Sequence, residues 1–178
     1  SLTHVTVADN SSDGDGGGIL ARGAVILGSS VVSGNSAAGS GADCVGVESA
    51  GFNVVSDTAG CGSLAESDLG DVDAGLGQLR DNGGPTETHA LLPVSPAIAY
   101  VTDCSVIDDQ RAVPRPSACS AGSFQYVEPP PPTTTTTEAV TTTTTTPESG
   151  TTTTTTVTLD AGGPPASAVL LSDEPSSD

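Results

Sequence analysis

Short runs rich in apolar and β-branched residues recur along the first third of the chain. They occupy residues 3–8, 23–27, 30–35 and 52–57. In the first run Val5 and Val7 fall on one side, as in a β-strand with one buried face. Polar and glycine-rich stretches such as residues 9–18 separate the runs. The pattern predicts several short strands joined by tight turns.

The runs repeat with a period in the twenties. Asn10 and Asn35 each end a run and are 25 residues apart. Such a period predicts a solenoid of parallel strands, in which each turn packs only against its neighbours. We expect Asn10 and Asn35 to stack and to bond each other. A leucine-rich horseshoe is rejected because residues 16–36 contain too few leucines, whereas a β-sandwich also fits short strands with polar turns.

The pattern loosens after residue 60. Glycines interrupt residues 61–77, where we expect loops and one helical turn near residues 63–69, with Ser63 as its cap. Residues 82–85, Asn-Gly-Gly-Pro, predict a turn. The apolar residues 90–98 then predict a closing segment that covers an exposed core, although their prolines limit ladder bonding.

Charge and composition exclude some functions. The formal net charge is -18, with 22 acidic residues, and such a field repels phosphate backbones, so we expect no nucleic-acid partner. Trp is absent and aromatic residues make up 2% of the chain, which leaves little surface for stacking sugars or bases. No apolar run approaches the length of a bilayer span. Because the chain begins at Ser1 with a strand-like run and has no Met, we interpret it as a processed or truncated piece.

The composition changes abruptly after residue 127. Four consecutive prolines, residues 129–132, precede threonine tracts at residues 133–137, 141–146 and 151–156. Such a segment cannot bury enough apolar surface to offset the entropy of ordering. We expect residues 128–178 to form a disordered, extended stalk, either O-glycosylated or an unmodified linker.

Two acidic stretches are candidates for cation binding. Asp9, Asp13 and Asp15 offer oxygen ligands near a glycine, as in the first half of a calcium loop, but the twelfth position is Leu20 rather than a bidentate Glu. A polar corner of the solenoid is the better interpretation of this stretch. Asp68, Asp71 and Asp73 form a second cluster, which either binds a hard cation or faces water.

Catalysis has weak support in the residues. Polysaccharide lyases need a basic proton acceptor near carboxylates, and Arg22, close to Asp13 and Asp15 in sequence, is the first candidate. Arg111 and Arg115 lie beside Asp108 and Asp109, where ion pairing is the simpler explanation. We therefore assign no catalytic residue.

A series of short motifs runs from residue 43 to residue 124. They are Asp43-Cys44, residues 51–57, Cys61, residues 81–86, 88–93 and 95–98, Asp109-Gln110-Arg111, Pro114-Arg115-Pro116, Cys119 and Gly122-Ser123-Phe124. In this order they resemble the C-terminal end of bacterial right-handed parallel β-helix surface proteins of the pectin-lyase-like kind with a choice-of-anchor domain. The resemblance covers about residues 3 to 126. The chain departs from the family pattern at Ala99, where an Asp is usual, and at Ser120, where an acidic residue is usual.

The chain has four cysteines, Cys44, Cys61, Cys104 and Cys119. An even number with export-like features predicts two disulfides, for which three connectivities exist. We favour Cys44 with Cys61 and Cys104 with Cys119, because each pair would staple one loop. A zinc site fails on spacing, since there is no Cys-x-x-Cys motif.

The sequence thus predicts an all-β protein, a right-handed parallel β-helix followed by a disordered tail. Residues 1–60 would form helix turns, residues 61–127 the loop-rich closing segment, and residues 128–178 the Thr/Pro-rich stalk. We expect a monomeric, non-catalytic scaffold or adhesin-like fragment at a bacterial cell surface or outside the cell, with a polysaccharide or protein partner. We expect no cofactor other than calcium at Asp9, Asp13 and Asp15. The alternative function is a polysaccharide lyase or glycoside hydrolase whose active turns lie mostly upstream.

Overall fold

The computed structural model describes residues 1–131, 142–144 and 152–154. The chain divides into two compact units, Ser1–Glu128 and Pro129–Asp178. Among the described residues, every regular secondary-structure element is a β-strand, which confirms the all-β class. The strands are β1 Leu2–Thr3, β2 Thr6–Ala8, β3 Ser11–Ser12, β4 Ile19–Leu20, β5 Ile26–Gly28, β6 Val31–Ser33, β7 Ser36–Ala37, β8 Cys44–Val45, β9 Val47–Gly51, β10 Val54–Val55, β11 Gly62–Ser63, β12 Leu69–Gly70, β13 Leu76–Arg80, β14 Thr88–Leu91, β15 Thr142–Thr144 and β16 Thr152–Thr154.

Parallel pairing dominates the first half of the chain, as the sequence predicted. Sheet A has the strand order β1-β5-β9-β11, and sheet B has the order β2-β6-β10-β12. Two smaller parallel pairs, β3 with β7 and β4 with β8, complete the first two repeats. The pattern changes after residue 75: β13 and β14 form an antiparallel pair around the predicted turn at residues 82–85, and two isolated antiparallel bridges follow.

The register defines four stacked repeats, residues 2–25, 26–46, 47–61 and 62–73. Leu2 pairs with Leu27, Val31 with Val54, and Val54 with Leu69. Contacts between equivalent positions span 25 residues, then 23, then 15. The first two repeats contain four strands each, whereas the third and fourth contain two each. The stack therefore narrows toward its C-terminal end.

The corner between sheet A and sheet B uses one left-handed residue in each of the first three repeats. Between sheet A and sheet B, His4 has a φ of 53°, Ser29 of 51° and Phe52 of 58°. These three equivalent residues form what we call the corner column. A single positive φ turns the chain without a loop, at a steric cost that non-glycine residues tolerate only when the surroundings hold them.

Sheet B is buried on both faces. Val32 and Val55 pack inside the stack with Leu27. Val31 and Val54 point the other way, into a second cluster. That cluster also holds Ala74, Leu91, Ala97, Val101, Cys119, Ala121 and Phe124. Of the apolar residues expected in a closing segment, Leu91 and Ala97 are buried and help to cover the outer side of sheet B, whereas Leu92 and Val94 are exposed.

Residues 97–126, which we call the strap, lie along the corner column. The rings of Phe52 and Tyr100 meet edge to face with centroids 6.0 Å apart. The Gly122 amide donates to the Ser29 carbonyl at 2.9 Å, and Cys119 Sγ lies 4.0 Å from His4 Nε2. The strap therefore contacts the third, the second and the first repeat.

The structure contains two disulfides, Cys44–Cys61 and Cys104–Cys119. These are the favoured sequential pairs. Cys44 and Cys61 lie at the ends of the second and third repeats, where both are fully buried. The second disulfide closes a loop of the strap, so each one fixes a segment that has few strand bonds.

The prediction of a helical turn near residues 63–69 is wrong. A hydrogen-bonded turn occupies residues 66 and 67, and β12 follows directly. The side chain that bonds the backbone of this turn is Asp68 rather than Ser63, since the Asp68 carboxylate accepts the Ala65 amide at 2.7 Å. Parallel pairing of Leu69 with Val54 requires an extended chain here, and this tertiary contact overrides the local signal.

Most of the expected stalk, residues 128–178, lies outside the described residues. The disorder expected for it therefore stays a prediction. The described parts include β15 and β16, which pair antiparallel. In the part of the chain that the structure describes, no helix has the length and apolarity of a membrane span.

The glycine cluster offers a test of the stack. A Cβ atom on Gly18 would lie 2.6 Å from the Asp43 carbonyl oxygen and 2.8 Å from Asn35 Cγ, whereas a Cβ on Gly23 would meet nothing within 4 Å. We expect Gly18→Ala to lower the free energy of unfolding by about 1–3 kcal/mol, because close-packed interiors do not absorb an added methyl. Gly23→Ala should be neutral or stabilise by about 0.4–1 kcal/mol. Urea denaturation measures both, and equal effects would contradict this packing.

Candidate functional site

A chain of side-chain acceptors follows the corner column. The Val5 amide donates to Ser30 Oγ at 3.2 Å, and the Ser30 amide donates to Asn53 Oδ1 at 3.0 Å. The Asn53 amide in turn donates to Asp68 Oδ1 at 2.9 Å. At each step a side chain of the next repeat satisfies a backbone N–H group that the ladder cannot reach.

A second chain of acceptors follows the next corner. The Asn10 amide and Asn10 Nδ2 both donate to Asn35 Oδ1, at 3.0 and 2.9 Å. The expected contact between these asparagines is therefore present. The Asn35 amide and Asn35 Nδ2 donate to Asp43 Oδ1, at 3.1 and 2.9 Å. Each of the two chains of acceptors thus ends on a carboxylate, Asp68 in the first chain and Asp43 in the second.

Asp43 is a structural acceptor. Its side chain is 1% exposed, and its second oxygen, Oδ2, accepts the Asp57 amide at 2.8 Å. Asp68 is used in the same way, since Oδ1 takes Asn53 and Oδ2 takes Ala65. An ionised carboxylate only accepts, so it fits a place where donors converge from two sides.

The three candidate calcium ligands are not brought together. Asp15 Oδ1 accepts the Ser40 amide and hydroxyl, both at 2.8 Å, and these bonds lower the pKa of Asp15. Asp9 occupies a left-handed corner, and Asp13 is exposed. Within the described residues, the three carboxylates do not form a group whose oxygens lie within 4.8 Å of one another. Calcium at this corner stays a prediction.

The second acidic cluster is also dispersed over separate contacts. Asp71 repeats the role of Asp15, because its Oδ1 accepts the Thr58 amide and hydroxyl. Asp73 accepts the Gly75 amide at 2.8 Å. Asp68 bonds Asn53, so each of the three carboxylates accepts a different backbone amide.

Asp109 is the centre of the strap. The Gln125, Val113 and Arg111 amides and the Arg111 guanidinium all donate to its two oxygens. Burial alone would raise the pKa of Asp109, but these hydrogen bonds outweigh it and the pKa is lowered. The guanidinium carbon of Arg111 lies 3.5 Å from the Phe124 ring centroid. The expected ion pair is confirmed for Arg111 with Asp109, at 2.7 Å.

Arg115 has a different role from the one expected. Its guanidinium donates to the carbonyls of Ser120 and Gly122 at 2.8 and 2.6 Å, and its Nε atom is enclosed without a partner. Asp109 acts on it only through its charge. Arg115 therefore holds the carbonyl groups of the strap rather than a carboxylate.

His4 faces this part of the strap from the first repeat. It is 6% exposed, and its Nδ1 atom has no hydrogen-bond partner. Burial, and then the Arg115 guanidinium, lower the pKa of His4 to about 4, against weaker opposing effects of the Ser120 and Gly122 carbonyls. The imidazole is neutral at ordinary pH.

One group of metal-ligand types exists among the described residues, namely His4, Cys104 and Cys119, with ligand atoms within 4.8 Å of one another. The two sulfurs are bonded to each other. Metals bind thiolates, and a disulfide offers none. This group is therefore a packing contact of the strap.

Sequence reasoning missed the effect of the Arg115 charge on His4. The two residues come from opposite ends of the unit, and no local pattern connects them. The Asp109-Gln110-Arg111 motif was a usable signal for the strap, because a carboxylate two residues before an arginine can accept both its amide and its side chain.

No protein-family model matches this chain, and no curated protein or solved structure matches it. Its side-chain geometry is therefore the basis for a functional conclusion.

The buried end of the second chain of acceptors yields a test. In Asp43→Asn, an NH₂ group would face either the Asp57 amide or the two Asn35 donors, so that buried donors oppose each other. We expect the free energy of unfolding to fall by about 1–3 kcal/mol in urea denaturation.

Asp13→Asn is the matched control, because Asp13 is exposed. We expect it to change the free energy of unfolding by no more than about 0.5 kcal/mol. If both variants behave alike, Asp43 is not the acceptor described. Repeating the melts with calcium tests the cation: a calcium-dependent rise in Tm that Asp13→Asn loses would support an ion at this corner.

Proposed function

We propose that residues 1–127 form the last turns and closing segment of a right-handed parallel β-helix, which serves as a non-catalytic scaffold of an exported, surface-presented protein. The partner is a polysaccharide or a protein. The threonine- and proline-rich segment would hold the scaffold away from its attachment point.

The fold part of this proposal rests on the register. Equivalent residues in sheets A and B pair in parallel from one repeat to the next, and His4, Ser29 and Phe52 repeat the same left-handed corner. Units that stack only on their neighbours form a solenoid. Stacked asparagines at its corners add the side-chain bonds that such a solenoid needs.

Export is supported by the cysteines. All four are paired in disulfides, and none is free. Disulfides persist in oxidising environments and are rare in the cytosol. The Thr/Pro composition of the C-terminal segment is that of extracellular stalks.

A scaffold role is supported by the use of the arginines. Arg111 and Arg115 are committed to Asp109 and to strap carbonyls, so they are unsuited to accept a proton. The net charge of -18 repels the polyanions on which a lyase would act. This is the single observation that most favours a neutral polysaccharide or a protein as the partner.

Sheet A offers the presenting face. Its outer side carries Thr3, Ile26, Glu48, Ala50 and Ser63, all of them exposed. The outer side of sheet B is covered, as described above. A flat parallel sheet of small and polar residues suits contact with an extended polymer or a protein surface.

A catalysis assay tests the proposal. The full 178-residue chain is incubated with polygalacturonate and with a neutral glucan, and unsaturated products and reducing ends are followed. We expect no product above the blank from the chain, from Arg22→Ala or from Arg80→Ala. Both arginines are exposed, so the second variant is a matched control.

Product formation that Arg22→Ala abolishes and Arg80→Ala retains would overturn the scaffold proposal in favour of the lyase. Activity that both variants retain would also overturn it and would place the catalytic groups elsewhere.

A further inference from the structure

The joint between the strap and the first repeat contains a buried imidazole near a half-buried arginine, Arg115. His4 is 6% exposed and lies in a left-handed conformation with a φ of 53°. Its Nδ1 and the Nε of Arg115 are both enclosed without partners. A buried polar group without a partner is costly, and a buried charge without one costs more.

The surroundings offer only weak compensation for a charge on His4, from the Ser120 and Gly122 carbonyls. Arg115 is the charged side chain that acts on it, and the Cys104–Cys119 disulfide beside it is neutral. Asp109, the carboxylate whose charge acts on Arg115, already accepts from Arg111 and from three amides. The Ser120 and Gly122 carbonyls already accept from Arg115.

We propose that His4 and Arg115 form an acid-sensitive latch: when His4 takes up a proton, two cations face each other in an enclosed site, and the strap lifts from the first two repeats. The other bonds of this joint are few. The Gly122 amide donates to the Ser29 carbonyl at 2.9 Å, and the Ser123 amide donates to Thr6 Oγ1 at 3.0 Å. Lifting the strap uncovers the outer face of sheet B at Val31.

Gly122 packs closely against the first two repeats. It has a φ of 85°, and a Cβ there would lie 2.7 Å from Thr6 Oγ1 and 2.9 Å from Val31 Cγ2. Lifting the strap from these repeats therefore breaks the contacts of Gly122 with both Thr6 and Val31.

The direction of the pH effect follows from linkage. The pKa of His4 is about 4 with the strap closed and takes the ordinary value of 6.5 when the imidazole is exposed. The contribution of neutral His4 to closure of the strap is fully present well above pH 6.5 and is lost as the pH falls from 6.5 to 4. At pH 5 the ratio of open to closed strap should be about 30-fold higher than at pH 7.5.

Amide hydrogen exchange of the full chain, with disulfides intact, measures this ratio. After correction for intrinsic rates, we expect the Gly122 and Ser123 amides to open about 30-fold more at pH 5 than at pH 7.5. The Val54 and Ser56 amides, which bond the Ser30 and Val32 carbonyls, should show no such rise. His4→Asn should remove the effect, since Asn tolerates the left-handed conformation and does not titrate.

His89 is the matched control, because it is the other histidine of the chain. His89→Gln should keep the full pH effect. The proposal is overturned by unchanged exchange at Gly122 and Ser123, by an equal rise in His4→Asn, or by an equal rise at Val54, which would mean global unfolding. An NMR titration of the unmodified chain decides independently of any variant: the His4 ring should titrate well below pH 6, and a midpoint near 6.5 would refute the latch.

Discussion

The structure depends on how backbone N–H groups are satisfied at its corners. Strands of only two to five residues leave many residues in turns, and a turn in a stacked fold cannot place every amide opposite a carbonyl of the next repeat. A buried amide without a partner costs about as much as a lost hydrogen bond. Side chains of the following repeat supply the missing acceptors at Val5, Ser30 and Asn10.

This requirement explains the composition better than a binding function does. Asparagine serves within each chain of acceptors because its side-chain oxygen accepts an amide of the preceding repeat while its NH₂ group donates to the next acceptor, as Asn35 does to Asp43 and Asn53 to Asp68. Aspartate serves at the end, as Asp43 and Asp68 do, because donors arrive from both sides. Part of the acidity of this unit is thus architectural, and the exposed carboxylates of Asp15 and Asp71 hold hydroxyl-bearing residues of neighbouring repeats in the same manner.

The sequence could predict the features that repeat locally. Val31 and Val54 lie in short β-branched runs, the spacing of Asn10 and Asn35 indicates the period, and residues 82–85 mark a turn. It could not predict the shortening from 25 to 15 residues between repeats, because glycine-rich loops carry no period. The path of the strap was equally hidden. Its contacts with His4, Ser29 and Phe52 join distant parts of the chain. The short β-branched runs indicate the strands of sheet B, but they cannot show that both faces of the sheet are buried.

The corner bonds can be observed directly by NMR through the scalar coupling that crosses a hydrogen bond. The account predicts a coupling between the Ser30 amide nitrogen and the Asn53 side-chain carboxamide carbon, and another between the Asn10 amide nitrogen and the carboxamide carbon of Asn35. If both amides instead lack these couplings and exchange with water as fast as exposed amides do, the corners are not held by side chains and the central claim is contradicted.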